Sequence, residues 1–463
     1  MKLVKSLLLG SAAGIAAVAG AQAADLPSRK AAPVEYVRVC SAYGAGFFYI
    51  PGTDTCLRVG GRVRAEYSVG ERYSDFQDAY GTRARGRLNI DARTATAYGT
   101  LRAFIRYELT NNTGIYTAGT APFNTGANVP GLARGAAGTT SLVDLAFVQF
   151  GPITAGRAQS FFDFYASDYN FASVRTADSR VNLLAYTATF GSGFSATISA
   201  EDRTSGTTGR EFPGVIFNPL TGVNSGAATV QGQDYPDLVA SLRVDQGWGS
   251  AQLSGALGQR KYAAVGTAAA ATAFTVDGDE MVWAVQGGVK INLPFLANGD
   301  ALFLQAAYAD GAIGYLGWAN GSLGLGRLGR LGLADASINP LTGSVKNTTG
   351  FSLVAALRHF WTPTLRSEVS ASYSELKLGY NDAAGLYLFP ATARSLDPKE
   401  FLVAGNLIWS PVSGLDIGVE VLYSNLQVRQ PVGVVNNFGA RSAIVGIKSE
   451  DSFAGRLRIQ RDF

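Results

Sequence analysis

The amino-acid sequence predicts an all-β protein, a sixteen-stranded antiparallel transmembrane β-barrel with short periplasmic turns and long extracellular loops. Three observations predict it. Charged and apolar residues alternate with period two along successive segments. The links between those segments alternate short and long. Aromatic residues mark both ends of the apolar face.

The alternation opens between Leu57 and Tyr67, where Arg58, Arg62, Arg64 and Glu66 interleave with Leu57, Val59, Val63, Ala65 and Tyr67. Between Arg83 and Arg93 the polar set is Arg83, Arg85, Arg87, Asn89, Asp91 and Arg93. Thr100, Arg102, Arg106 and Glu108 continue it against Leu101, Ala103, Ile105, Tyr107 and Leu109. The same two-faced pattern holds at the far end, in Arg366–Ser372, Asp416–Glu420 and Arg456–Asp462. The predicted strands lie near 57–67, 82–94, 99–109, 142–150, 152–158, 181–190, 194–201, 237–245, 250–259, 281–293, 300–309, 350–361, 364–374, 399–409, 415–424 and 452–463. The fourth and eleventh alternate poorly.

A soluble sandwich also alternates, because one face meets water. It has no reason to segregate loop lengths. Here Thr96–Tyr98, Gly151-Pro152, Gly191–Gly193, Gln246–Gly249, Pro294–Gly299, Thr362-Pro363 and Ser410–Gly414 are short links. The others, near 110–141, 159–180, 202–236, 260–280, 310–349, 375–398 and 425–451, are long. The aromatics agree. Strands running one way end in Tyr67, Tyr107, Tyr308, Tyr373 and Tyr423; strands running back start at Phe351, Phe401 and Phe453 and finish at Trp361, Trp409 and Phe463. Eight to ten tilted residues cover about 19–23 Å, close to the roughly 25 Å apolar band between interfacial girdles. Closing the sheet removes its edges. A barrel this wide leaves an aqueous channel.

Residues 1–23 read as a secretory signal: Lys2 and Lys5, an apolar run from Leu7 to Val18, then Ala21-Gln22-Ala23. No other segment has the eighteen uninterrupted apolar residues of a membrane helix. Residues 24–56 form an N-terminal periplasmic segment before the barrel at 57–463. Cys40 and Cys56, the two cysteines, suit a disulfide in an oxidising compartment; a metal site would need ligands that no neighbouring Cys or His supplies. A net charge of +4 argues against nucleic acid as a partner. No cofactor or catalytic set is expected. His359, the single histidine, shares the outward parity with Leu357 and Trp361, and the Gly-rich run 321–332 lacks the Lys-Ser/Thr ending of a phosphate loop. The stretches 203–233 and 262–276 read as surface loops with little structure of their own.

The stretches Ala24–Pro27, Cys40–Phe47, Pro51–Cys56 and Gly156–Asp163, together with the terminal Phe463, resemble the general porins of alphaproteobacteria, the Rhizobium and Brucella type. The resemblance implies an outer-membrane homotrimer surrounded by lipid, passive diffusion of small hydrophilic solutes and ions, and Phe463 as the C-terminal assembly signal. It also implies that the third long loop, 159–180, folds into the lumen and narrows it. That loop carries Asp163, Asp168 and Asp178 beside Arg175 and Arg180. The facing wall would hold Arg62, Arg64, Arg83, Arg85, Arg87, Arg102 and Arg106, with Arg85, Arg87, Arg102 and Asp168 nearest its centre. So many like charges need water around them. Guanidinium groups lining a pore are a source of ion selectivity, or else form salt-bridge networks that stiffen the wall. A solute-selective channel and a structural or adhesive barrel remain as other functions.

Overall fold

The computed structural model describes residues 38–71, 78–116, 137–203, 214–217, 224–230, 234–263, 279–318, 326, 328, 333–338, 345–378, 397–435 and 444–463. The expected signal at 1–23, and residues 24–37 of the segment after it, lie outside them. The chain divides into two compact units after Cys56.

In the first unit a one-turn 3-10 helix, Ser41–Tyr43, precedes a two-residue strand, Phe48–Tyr49. Cys40 donates its amide to Phe47 O at 2.9 Å, and Val39 bridges Phe48. Cys40 and Cys56 form a disulfide with their Cα atoms 5.9 Å apart. The buried apolar cluster holds little beyond the cystine and Phe47, with Tyr43 and Tyr49 against it. So small a core cannot fix the hairpin alone. Closing this 16-residue separation is worth roughly 3 kcal/mol. Replacing both cysteines by serine is therefore expected to open the segment to trypsin at Arg38 while leaving channel conductance unchanged. Digestion and a bilayer recording check the two halves.

The second unit is the barrel. Its strands are β1 (Cys56–Gly70), β2 (Tyr80–Thr96), β3 (Gly99–Thr113), β4 (Ala137–Phe150), β5 (Ile153–Gln159), β6 (Arg180–Gly191), β7 (Phe194–Glu201) and β8 (Asp237–Gln246). They continue with β9 (Gly249–Ala263), β10 (Asp279–Asn292), β11 (Ala301–Asp310), β12 (Thr349–Thr362), β13 (Leu365–Lys377), β14 (Lys399–Val412), β15 (Leu415–Val435) and β16 (Ile444–Asp462). Each pairs antiparallel with the next, and β1 pairs with β16 from Arg62↔Asp462 to Gly70↔Ala454. The sheet is closed. At the seam Gly61 and Phe463 exchange both backbone hydrogen bonds, 2.9 and 3.1 Å.

Outward positions are apolar and bare: Val63, Tyr67, Leu88, Ile105, Leu184, Ile198, Leu242, Leu253, Leu357 and Val419 are all exposed. In water such a band would be a severe liability; in lipid it is a solvent-matched surface. Phe351–Tyr373, Phe401–Tyr423 and Tyr423–Phe453 stand as ring neighbours across strands, forming a girdle at the long-loop end. His359 keeps the outward parity, with Nδ1 2.6 Å from Asp300 and its ring edge-on to Trp361.

Three expectations about the loops need correction. The 203–233 stretch contains strands Gly214–Phe217 and Asn224–Val230, paired to each other, and the first also pairs in parallel with Ala336–Ile338. Residues 264–278 lie outside the described set. The 425–451 loop is mostly hairpin, because β15 and β16 stay paired out to Val435↔Ile444. The 310–349 loop is not purely external. Ile313–Leu316, Trp318, Leu328 and Leu333 are buried with inward residues of β8 to β13.

The two poorly alternating strands have separate causes. In β4 the register shifts opposite Arg106/Tyr107, which adds Asp144 as a bulge and flips the inward parity beyond it. In β11 both faces are apolar because Phe303 packs under Phe164, Tyr165 and Tyr169 of the third loop.

Candidate functional site

The third loop, 160–179, leaves β5 and returns to β6 through a closed neck. Gln159 pairs with Arg180, and Ser160 N donates to Ser179 O at 3.0 Å. Asp163 is buried there, accepting Ser179 N at 2.7 Å and the Gln159 amide. Glu201 accepts Ser160 Oγ and Phe161 N.

Beyond the neck the loop lies along the inner wall from β9 to β16. A loop without regular structure must find partners for its backbone, and inward side chains supply them. Gln252 and Gln286 donate to Phe162 O; Gln305 accepts Tyr165 N at 2.9 Å. Asn406 donates to Tyr169 O at 3.0 Å, and Glu420 accepts Phe171 N and Ala172 N at 2.6 and 2.8 Å. Arg456 closes the series on Phe171 O at 2.7 Å. The loop therefore covers one side of the lumen and leaves the β1–β4 wall open.

Between them is a cavity of about 600 Å³. Arg62, Arg64, Arg85 and Arg87 line it from the wall; Ala166–Asp168, Ala172, Ser173 and Asp178 line it from the loop. Ser167 sits in the left-handed region, φ 60°, which turns the chain at the tip. Arg157, Arg180, Arg358, Arg366 and Arg458 complete the basic lining, and Glu108, Asp144, Glu368 and Asp416 the acidic. Among the described residues that is nine arginines against six carboxylates, with Asp168 and Asp178 in the six.

Most charges are paired. Glu108 accepts Arg87 Nε at 2.6 Å and lies 3.4 Å from Arg85; Arg62 pairs with Asp462; Arg366 pairs with Asp416 at 2.8 Å. Asp178 pairs with Arg180. Three are not. Among the described residues Arg64 donates only to Gln460 Oε1, at 3.0 and 2.8 Å. Arg358 has no carboxylate partner among the described residues; it donates to Gly299 O and stacks over Tyr169 at 4.6 Å. Asp168 is exposed, with no hydrogen bond or ion pair among the described residues. Burial of the loop around it, reinforced by Asp178, holds its carboxyl above the ordinary range, against the pull of Lys290, Arg358 and Arg180.

Of the residues expected at the site, Arg62, Arg64, Arg85, Arg87, Asp168 and Asp178 share this cavity. Arg83 sits away from it, 3.6 Å from Glu66 and over the Tyr116 ring. Arg102 is held on Asp91 at 2.9 Å, and Arg106 on Asn89 and Asp144. Asp163 belongs to the neck. The far-wall arginines Arg358, Arg366 and Arg458 were missed, although inward parity marked them.

A family model described as porin subfamily matches residues 25–454. Porin Omp2b of Brucella suis is 33% identical over 326 residues, which cover 67% of this chain and 75% of that protein. Porin Omp2b of Brucella abortus (strain 2308) is 33% identical over 319 residues, with the same two shares. Among solved structures, the outer membrane channel DcaP of Acinetobacter baumannii superposes with a TM-score of 0.57 at 16% identity, covering 90% of this chain and 99% of that one. A closed sixteen-stranded barrel, a lumen lined with charge and a family model spanning nearly all of the sequence place the chain in the porin family of outer-membrane channels.

Proposed function

We propose that this porin passes small hydrophilic solutes with a preference for anions, as a homotrimer, through a constriction between Arg62, Arg64, Arg85 and Arg87 on the wall and Asp168 and Asp178 on the loop. The observation that carries this is the excess of three positive charges around the cavity, with Arg64 and Arg358 lacking a carboxylate partner among the described residues. A fixed positive excess raises the local concentration of anions and lowers that of cations. Paired arginines contribute less, since their fields largely cancel beyond the pair. The trimer rests on kinship with the porins. Non-catalytic character rests on the placement of His359, outside the lumen and bonded to Asp300.

Conductance in planar bilayers, with reversal potential in a salt gradient, is the test. Steps in threes and a potential of anion-selective sign are expected; a cation-selective sign would overturn the preference. Acidification gives a second arm. Asp168 gains its proton before carboxylates of ordinary range do, which removes one negative charge. Anion preference should therefore rise as pH falls from neutral, before carboxylates of ordinary range begin to titrate. Asp168→Asn should show that higher preference already at neutral pH and lose the rise.

A further inference from the structure

We propose that the loop after β11 is a brace that sets the position of the constriction loop, with Trp318 and Arg175 as its positioning residues. The proposal rests on the constriction reading above.

In a lumen filled with water, inward positions should be polar. On β8 to β11 they are instead small and apolar near the long-loop end: Val239, Ala256, Val282, Ala284, Ala307 and Ala309. Ile313, Tyr315, Leu316 and Trp318 cover them, each at most 1% exposed. The cover is anchored by polar contacts. Tyr315 Oη donates to Asp237 at 3.0 Å, and Arg260 donates to the same carboxylate at 2.9 Å. Asp335 accepts Ile313 N at 3.0 Å. Removing one partner from a buried set of this kind leaves a charge uncompensated, so the anchor resists displacement.

This covering segment grips the third loop directly. Phe162 meets Tyr315 edge-on with ring centroids 4.6 Å apart. The Arg175 guanidinium lies 3.9 Å over the Trp318 ring, donates to Gly317 O at 3.2 Å, and pairs with Glu400 of β14. Trp318 Nε1 donates to Ser374 Oγ of β13 at 2.8 Å. Gly317 has φ +80°, and a Cβ there would collide with the Thr176 backbone, so the two loops touch main chain to main chain. Arg175 belongs to the constriction loop but does not line the cavity. It is drawn away to the brace, which removes a cation from the loop and leaves Asp168 and Asp178 to face the wall. The segment thus sets both where the loop lies and which charge it presents.

The experiment uses the full chain refolded in detergent, with Trp318→Ala, Trp318→Phe and Arg175→Lys. Arg175→Lys keeps the charge beside Glu400 but loses the planar contact with the ring. Trp318→Ala and Arg175→Lys should close at lower voltage, with sublevels, and shift the reversal potential. Amides of 161–177 should exchange about tenfold faster or more, while barrel amides stay unchanged. Trp318→Phe should lie nearer wild type. Should Trp318→Ala fail to fold, Arg175→Lys decides alone. Folded variants with wild-type closing voltage, reversal potential and loop exchange would overturn the brace. If wild type itself does not conduct, the pore reading fails, and loop exchange still decides the brace.

Discussion

Arg64→Glu with Arg358→Gln is expected to abolish most of the ion preference of the channel while leaving its conductance within about twofold of wild type. These two arginines are chosen because neither is neutralised in place: Arg64 holds only the Gln460 carbonyl oxygen and Arg358 has no carboxylate partner among the described residues. Neither forms a close ion pair among the described residues and both line the cavity, so their charge acts where the ions pass. Glutamine suits position 358 because Glu368 lies directly across the strand pair, where a second carboxylate would repel it. The pair of changes removes the excess of three charges around the cavity. At about 7 Å in water one unit charge shifts the energy of a monovalent ion by about 0.6 kcal/mol. Screening at about 0.1 M salt roughly halves that. Three charges then amount to about 0.9 kcal/mol for an anion and the opposite for a cation, or near twentyfold in the anion-to-cation permeability ratio. Reversal potentials at low and high salt measure it, and the difference should shrink as salt rises. The same changes made at Arg93 and Arg102, which pair with Asp91 and do not line the cavity, should move the ratio far less. Equal effects from the two sets would mean that the potential at this cavity does not set the preference.

The barrel was legible in the sequence because lipid on one side and water on the other impose a rule on every other residue. Arg83, Arg85 and Arg87 against Ala84, Gly86 and Leu88 could hardly be read otherwise. The rule loses force where a different neighbour replaces one of the two solvents. Beyond the girdle at Tyr423 and Phe453 no lipid enforces alternation, so in the sequence the long β15–β16 arm reads as a loop. Inside, protein replaces water on β9 to β14, and the inward residues there change character. They become glutamine, serine and asparagine where they hold loop backbone, as at Gln252, Gln305, Ser372 and Asn406. They become alanine and valine where the brace covers them. That shift was visible in the sequence. An inward wall poorer in arginine, opposite the dense arginines of β1 to β3, marks which side of the lumen is filled. The candidate site was half legible for a related reason. Arginines on the first three strands stood out by density, whereas Arg358, Arg366 and Arg458 stand singly and reach the same cavity only through closure of the sheet.

Glu66→Gln should be among the most destabilising single changes in the barrel, and its effect should reach the pore. Glu66 is 1% exposed and serves three arginines: Arg458 Nη2 at 2.6 Å, Arg456 Nη1 at 3.1 Å and Arg83 Nη1 at 3.6 Å. The nearby Glu420 is committed to the amides of Phe171 and Ala172. Neutralising Glu66 therefore leaves three close guanidinium groups short of their shared anion. Breaking a buried charge set this way typically costs about 3–5 kcal/mol. Lumen water can hydrate part of the deficit, so the lower end, about 3 kcal/mol, is expected as a drop in the urea midpoint of unfolding. Arg456 and Arg458 also hold Phe171 O, at 2.7 and 3.3 Å, so their displacement should loosen the loop where it meets β16. Channel noise should rise in parallel. The paired variant Glu66→Gln with Arg458→Met removes one surplus cation together with the anion. It should recover part of the midpoint, because the cost lies in the uncompensated charge rather than in a missing contact. If the double variant is instead less stable by the sum of the two single losses, the arginines are not coupled through Glu66 and the wall owes its stability to backbone pairing alone.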